Sequence, residues 1–254
     1  MRATRLLSYM RDKRRILILG GTAEAVAVAA ALENDRYSVT TSLAGRTREP
    51  KPIVGRVRIG GFGGTEGLAE DISAERIYGV IDATHPFAQQ ISANAFASCA
   101  TRNVPRCVLY RNPWIAMKGD RWRPVQSLER AALSLDIGST VLLALGRQHL
   151  LPFAKRSDVR FVIRSIEPIT GAVPPNSMLV QGRPALSAVE EREFLERYRI
   201  DAIVSRNSGG AGAYAKIEAA RELGLPIIMI ARPPPPKGPL LATVAGVKSW
   251  VEEL

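Results

Sequence analysis

The apolar run Ile16 to Leu19 stops at Gly20, Gly21 and Thr22 and opens at once into AEAVAVAAALEN, a stretch of strong helix formers. A continuously apolar strand needs cover on both faces, and a glycine turn straight into a helix supplies that cover for one of them. This order confines the chain to the parallel α/β architectures. The β-branched run Tyr37 to Ser42 and the loop LAGRTREPKP complete a βαβ unit. GRVRI then reads as a strand, LAEDISAERI as a helix, and YGVIDAT as a buried strand halted by His85 and Pro86. A helix from about Ala88 to Thr101 precedes the strand CVLY.

The alternation restarts after the irregular stretch RNPWIAMKGDRWRP. A helix near SLERAALSL, the strand TVLLAL, a helix start at RQHLLPFA and the strand VRFVIR follow. The proline-broken segment EPITGAVPPN, the helix SAVEEREFLERY, the strand DAIVS, a glycine loop, the helix AYAKIEAARELG and the strand PIIMI come next. Pro233 to Pro236 favour a stiff extended connector, and Thr243 to Glu253 reads as a closing helix. The predicted fold is therefore α/β, with two halves at residues 14–118 and 119–254, each a mostly parallel sheet flanked by helices.

Only two cysteines occur among 254 residues, Cys99 and Cys107, and they share no zinc-like spacing with His85 and His149. A disulfide framework and a structural metal are not expected, and the compartment is predicted to be reducing. No apolar run reaches the roughly 18 residues that span a bilayer, so a cytoplasmic chain without a membrane partner is expected. The nine residues before Met10 read as a leader, an expression remnant or an upstream start. The net charge of +11 attracts polyanions. Against nucleic acid stand the scatter of the basic residues, an aromatic content of 6% and the lack of any recognition module. A multiply carboxylated small molecule fits the charge equally well, and a merely solvated basic surface accounts for it too.

Four strand ends carry candidate chemistry. Gly20, Gly21 and Thr22 place unpaired N–H groups and a positive dipole end where a phosphate would sit, although a glycine pair also serves as a plain tight turn. After the second strand, Ser42, Ala44, Gly45 and Arg46 offer a hydroxyl and a guanidinium where NAD-preferring folds carry an acid. That favours a ribose 2′-phosphate, hence NADP. In DATHPFA, Asp82, Thr84 and His85 lie where open α/β sheets bind ligands, and His85 is a candidate proton donor. Asp82 and Thr84 as caps of the following helix is the competing reading. In SRNSGGAGAYAK, the residues Arg206, Asn207, Ser208, Gly209, Gly210 and Lys216 can face an anion, or the glycines can serve packing alone. Gly146 and Arg147 form a weaker counterpart.

Together GGTAEA (20–25), TSLAGRT (41–47), DATHPFA (82–88), SRNSGGAGAYAK (205–216) and LGLPIIMIARP resemble the precorrin-6A reductase family in order and spacing, over nearly the whole chain. The resemblance implies two Rossmann-like domains with the active site in the cleft between them. It implies hydride transfer from NADPH to a ring double bond of a corrin precursor, giving precorrin-6B in cobalamin biosynthesis. It also implies a polycarboxylate tetrapyrrole as the small-molecule partner, held by Arg206, Asn207, Ser208, Gly209, Gly210 and Lys216, with Arg111 and Arg147 in support. A monomer is favoured. The alternatives are a cobalt-precorrin-6A reductase using NADH, a nucleotide-binding transferase and a basic nucleic-acid-binding protein.

Overall fold

The computed structural model describes residues 13–45 and 52–254. Arg46 and the residues before Met10 lie outside them. The chain divides into two compact units, one built from the residues up to Arg111 together with Pro233–Leu254, the other from Asn112–Arg232.

The first unit opens with β1 (Arg14–Leu19), α1 (Ala23–Leu32), β2 (Tyr37–Leu43), β3 (Arg56–Ile59), α2 (Gly64–Ala74), β4 (Ile77–Asp82), α3 (Gln89–Arg102) and β5 (Arg106–Leu109). The alternation of side chains along β1 explains its unbroken apolar run. Ile16 and Ile18 join Val28, Ala29 and Leu32 of α1 in one core, while Leu17 and Leu19 join Leu68 and Ile72 of α2 and Ala95 of α3 in another. Thr22 caps α1, its Oγ1 accepting the Ala25 N–H at 3.1 Å.

The second unit contains β6 (Arg121–Val125), α4 (Leu128–Leu133), β7 (Thr140–Ala144), β8 (Arg160–Ser165), β9 (Ser177–Gln181), α5 (Ala188–Arg197), β10 (Ala202–Arg206), α6 (Ala215–Glu222) and β11 (Pro226–Ile230). Its main core gathers Leu142, Val162, Leu195, Ile203, Ile217 and Met229 around Trp114. Ser187 and Glu190 form a reciprocal cap at the start of α5. Where a helix was predicted at RQHLLPFA, two 3-10 turns stand instead, Arg147–His149 and Leu151–Phe153. Pro152 has no N–H to continue an α-helix through that segment. The stretch predicted as irregular holds β6, and its Pro124 is tolerated because β6 is an edge strand.

The chain closes with β12 (Leu240–Leu241) and α7 (Val244–Glu252). This corrects the predicted halves at 14–118 and 119–254. β12 pairs in parallel with β5, and Val247 and Val251 of α7 are buried in the core of the first unit. The units therefore divide after Arg111, and the residues from Pro233 onward return to the first. Both six-stranded sheets are wholly parallel, in the orders β12-β5-β4-β1-β2-β3 and β6-β11-β10-β7-β8-β9.

Candidate active site

In each sheet the strand order reverses once. In the first unit the chain runs from β1 outward to β2 and β3, then returns to the other side of β1 as β4. In the second it runs from β7 to β8 and β9, then returns beside β7 as β10. Such switch points leave a crevice beyond the carboxyl ends of the two strands, where ligands of open α/β sheets bind. The loops flanking the two crevices are Gly20–Thr22 with Ala83–Phe87, and Gly146–His149 with Arg206–Gly210. The glycine turn at 20–22, most of DATHPFA, the Gly146–Arg147 pair and the start of SRNSGGAGAYAK fall on these four loops, whereas the second-strand loop and LGLPIIMIARP, which runs through β11, do not.

In the first crevice the two glycines have different tasks. A Cβ on Gly20 would lie 2.7 Å from Thr41 Cγ2, so this residue is glycine because β2 passes close by. Gly21 has φ +106° and open space where its Cβ would be, which leaves its backbone approachable. Among the described residues, no acceptor stands at hydrogen-bond distance from the N–H groups of Gly21, Thr22, Ala23 or Glu24. Four converging donors at a helix N-terminus fit a pyrophosphate. The Thr22 hydroxyl donates to the Ala83 carbonyl at 2.8 Å and ties the two loops together. Glu24 puts a negative charge into the same first turn, and Arg111, at the end of β5, meets its Oε2 at 2.6 Å. Arg111, expected on the substrate, is thus engaged with the helix that would carry the phosphates. Ser42 is nearly buried, and Ala44 and Gly45 are exposed, Gly45 with φ +71°.

Asp82 does not cap the next helix: α3 begins at Gln89 behind Ala88, without a side-chain cap. Nor is it placed to touch a ligand, which corrects its expected role, because it is 1% exposed. Its Oδ1 accepts the Thr84 N–H at 3.2 Å and the Thr84 hydroxyl at 2.7 Å, and its Oδ2 lies 3.7 Å from the buried Arg106 guanidinium. Arg106 also donates to the Lys237 carbonyl. Asp82 therefore shapes the loop from beneath. His85 Nδ1 accepts the Phe87 N–H at 3.3 Å, so in the neutral ring the proton sits on Nε2. Burial pushes the thiols of Cys99 and Cys107 up to about 11 and about 12, which makes both inert as nucleophiles.

In the second crevice, Arg206 Nη1 lies 3.0 Å from His149 Nε2, and the Gln148 side-chain amide lies 3.2 Å from the same atom. A guanidinium only donates, so His149 Nε2 accepts and its proton sits on Nδ1. Arg147 is exposed on the same turn. Asn207 was expected to face the substrate, but its amide is spent on the chain: Oδ1 accepts the Trp114 N–H at 2.8 Å and Nδ2 donates to the Trp114 carbonyl at 2.9 Å. Trp114 Nε1 in turn donates to the Gly210 carbonyl at 2.8 Å. Lys216 likewise leaves the set of surface anion ligands. It is buried, donates to the Ala213 carbonyl at 2.7 Å and lies 4.9 Å from the Trp114 ring centre. Ser208, Gly209 and Gly210 remain at the crevice, the two glycines with φ +63° and +69°.

The profile of the family described as Precorrin-6x reductase CbiJ/CobK matches residues 15–252. The chain belongs to this family. The chain is 45% identical to a precorrin-6A reductase of Rhodococcus erythropolis over 94% of its own length and 98% of that protein's. It is 29% identical to a cobalt-precorrin-6A reductase of Priestia megaterium, over 86% of this chain and 90% of that protein. A solved structure described as CobK precorrin-6A reductase superposes with a TM-score of 0.90 at 42% identity, covering 94% of this chain and 96% of that one.

Within this CbiJ/CobK chain, several pairings at the crevices carried no sequence signal. The pairing of Glu24 with Arg111 and the clasp of Trp114 by Asn207 join residues far apart in the chain. Arg232 had two available clues: it lies in the quoted LGLPIIMIARP stretch, and it follows β11, where the loops after parallel strands line the binding edge. Among the described residues no group of three or more His, Cys, Asp or Glu could hold a metal ion, and no helix is long and apolar enough to cross a membrane.

Burial lowers the pKa of Lys216 to about 8, with Arg164 and Arg206 lowering it further and Glu191 opposing them. The folded value lies below the ordinary 10.5, so the unfolded chain binds the extra proton between those two pH values and stability rises with pH across that window. Below pH 8 the full cost of burying the charge is present. Lys216→Met is expected to raise stability at pH 7 and to remove this rise, as measured by urea unfolding of both proteins at pH 7, 8, 9 and 10. Parallel profiles for the two would show that Lys216 is not the group responsible.

Proposed function

We propose that this chain reduces precorrin-6A to precorrin-6B with NADPH. The observation that carries the reading is the first crevice, where four unaccepted N–H groups and an open glycine face converge in a chain of the CbiJ/CobK family. The bound nicotinamide would supply a hydride, two electrons with one proton, to one carbon of a ring C=C bond, and an acid would supply a proton to the other carbon. Gly21, Thr22, Ala23 and Glu24 would hold the pyrophosphate through their N–H groups. Ser42 and Arg46, with Ala44 and Gly45 between them, would receive the 2′-phosphate. Thr84 and His85 border the same crevice, and His85 Nε2–H is the proton donor of this reading. On the second unit, Arg206, Ser208, Gly209, Gly210 and Arg147 would hold substrate carboxylates, and the charge of +11 would draw the polyanion in. The enzyme would act as a cytoplasmic monomer on a small tetrapyrrole.

The metal-free substrate is favoured over its cobalt counterpart by the identities of 45% and 29% to the two kinds of relative. The test is anaerobic oxidation of NADPH at about 340 nm, the reduced nicotinamide band, with precorrin-6A, repeated with the cobalt-containing analogue and with NADH. Turnover is expected with NADPH and the metal-free macrocycle. Arg46→Ala is expected to raise the KM for NADPH at least about tenfold, through loss of a charge-assisted contact of roughly 1.5–3 kcal/mol, and to leave that for NADH unchanged. Equal effects on both would remove Arg46 from the cofactor site.

A further inference from the structure

Arg232, the last residue of the second unit, lies near the end of the LGLPIIMIARP motif without having been assigned a role, and its guanidinium forks onto the loop at the switch point. Nε donates to the Asn207 carbonyl at 2.7 Å, and Nη2 donates to the carbonyls of Ser208 at 2.6 Å and Asn112 at 3.3 Å. In a trans peptide the N–H points opposite to the carbonyl. Holding the Ser208 carbonyl on Arg232 therefore turns the Gly209 N–H away from it. Gly209 and Gly210 both adopt left-handed backbone, and among the described residues the N–H groups of Gly209, Gly210, Ala211 and Gly212 meet no acceptor. A run of orphaned donors leading into α6, which follows at Ala215, is a receptor for an anion. The fit at Gly209 is close: a Cβ there would collide with Arg232 Nη2 and the Asn112 carbonyl.

We propose that Arg232 is a positioning residue of the reductase, holding the loop Asn207–Gly212 in the one conformation whose N–H groups receive a carboxylate of the substrate. The inference rests on the reading of the chain as a precorrin-6A reductase and adds to it the group that forms the carboxylate receptor. Three carbonyls on one planar fork require arginine; lysine keeps the charge and loses the geometry.

The experiment measures binding of precorrin-6A by absorbance titration in the absence of cofactor, together with KM for substrate and for NADPH, in the wild type and in Arg232→Ala, Arg232→Lys and Gly209→Ala. All three variants are expected to weaken substrate binding and raise its KM at least about tenfold with the KM for NADPH within about twofold of wild type, since the cofactor crevice belongs to the other unit. Guanidinium ion at millimolar concentration is expected to restore part of the loss in Arg232→Ala and none in Gly209→Ala. Should Arg232→Ala fail to fold, Arg232→Lys and Gly209→Ala carry the comparison. Substrate affinity indifferent to Arg232, or a rise in both KM values that guanidinium does not relieve, overturns the proposal alone. A wild-type chain that binds no precorrin-6A overturns the functional reading as well.

Discussion

Asp82→Ala is expected to cost the fold about 3–5 kcal/mol, the range for removing one partner of a buried ion pair. Asp82 is 1% and Arg106 4% exposed by side chain, and among the described residues Asp82 Oδ2 and Arg106 Nη1 have no hydrogen-bond partner, lying 3.7 Å from each other. Taking away the carboxylate leaves a guanidinium enclosed by the first unit, with, among the described residues, the Lys237 carbonyl and a distant stack on Phe96 to balance it. The same change frees Thr84, whose N–H and hydroxyl both rest on Asp82 Oδ1, so the loop bearing His85 loses its anchor. Urea unfolding followed by circular dichroism measures the loss. The double variant Asp82→Ala/Arg106→Met is expected to recover most of it, because the enclosed charge is gone. A loss below about 1 kcal/mol in the single variant would show that water reaches the guanidinium and that the pair does not support the loop.

Arg111→Ala is expected to raise the KM for NADPH roughly 30- to 100-fold. Glu24 stands in the first turn of α1, whose N–H groups are proposed to hold the pyrophosphate, and Arg111 meets it at 2.6 Å. Without the guanidinium, a carboxylate about 6 Å from a phosphate costs about 2–3 kcal/mol at an effective dielectric near 20. This outweighs the favourable dipole of the helix end, about 0.3–1 kcal/mol. Initial-rate kinetics in NADPH measure the effect, and Glu24→Gln combined with Arg111→Ala is expected to restore most of the affinity. If the double variant is no better than the single one, Arg111 acts on the ligand directly and not by neutralising Glu24.

The two predictions concern residues that the sequence placed differently. Arg111 follows a strand and precedes an irregular stretch, a position equally suited to a substrate contact, and nothing local reveals that it faces Glu24 across the carboxyl edge of the sheet. Lys216 and Asn207 were read as anion ligands because they flank a glycine loop. In the fold one is buried beside Trp114 and the other is bonded to the Trp114 backbone. Periodicity says which face of a helix is apolar, and at the start of α6 it is silent on a lysine whose stem and ammonium both lie inward. The glycines were legible in part. A pair after a strand marks a turn, but the division of labour between Gly20, close to Thr41, and Gly21, open to solvent, depends on where β2 runs.

The sequence by itself determined the α/β class, the succession of most strands and helices, and the strand ends that carry the candidate motifs. These properties reside in short runs: apolar stretches of strand length, helix formers, and glycine or proline at the joints, each decided by local backbone preference and by side-chain periodicity. Only the tertiary structure decided that β12 and α7 return to the first unit, that the candidate loops pair up at the switch point within each sheet, and which charges neutralise which. Strand order and ion pairing join residues distant along the chain, and their energies depend on burial and close approach, which local sequence does not encode.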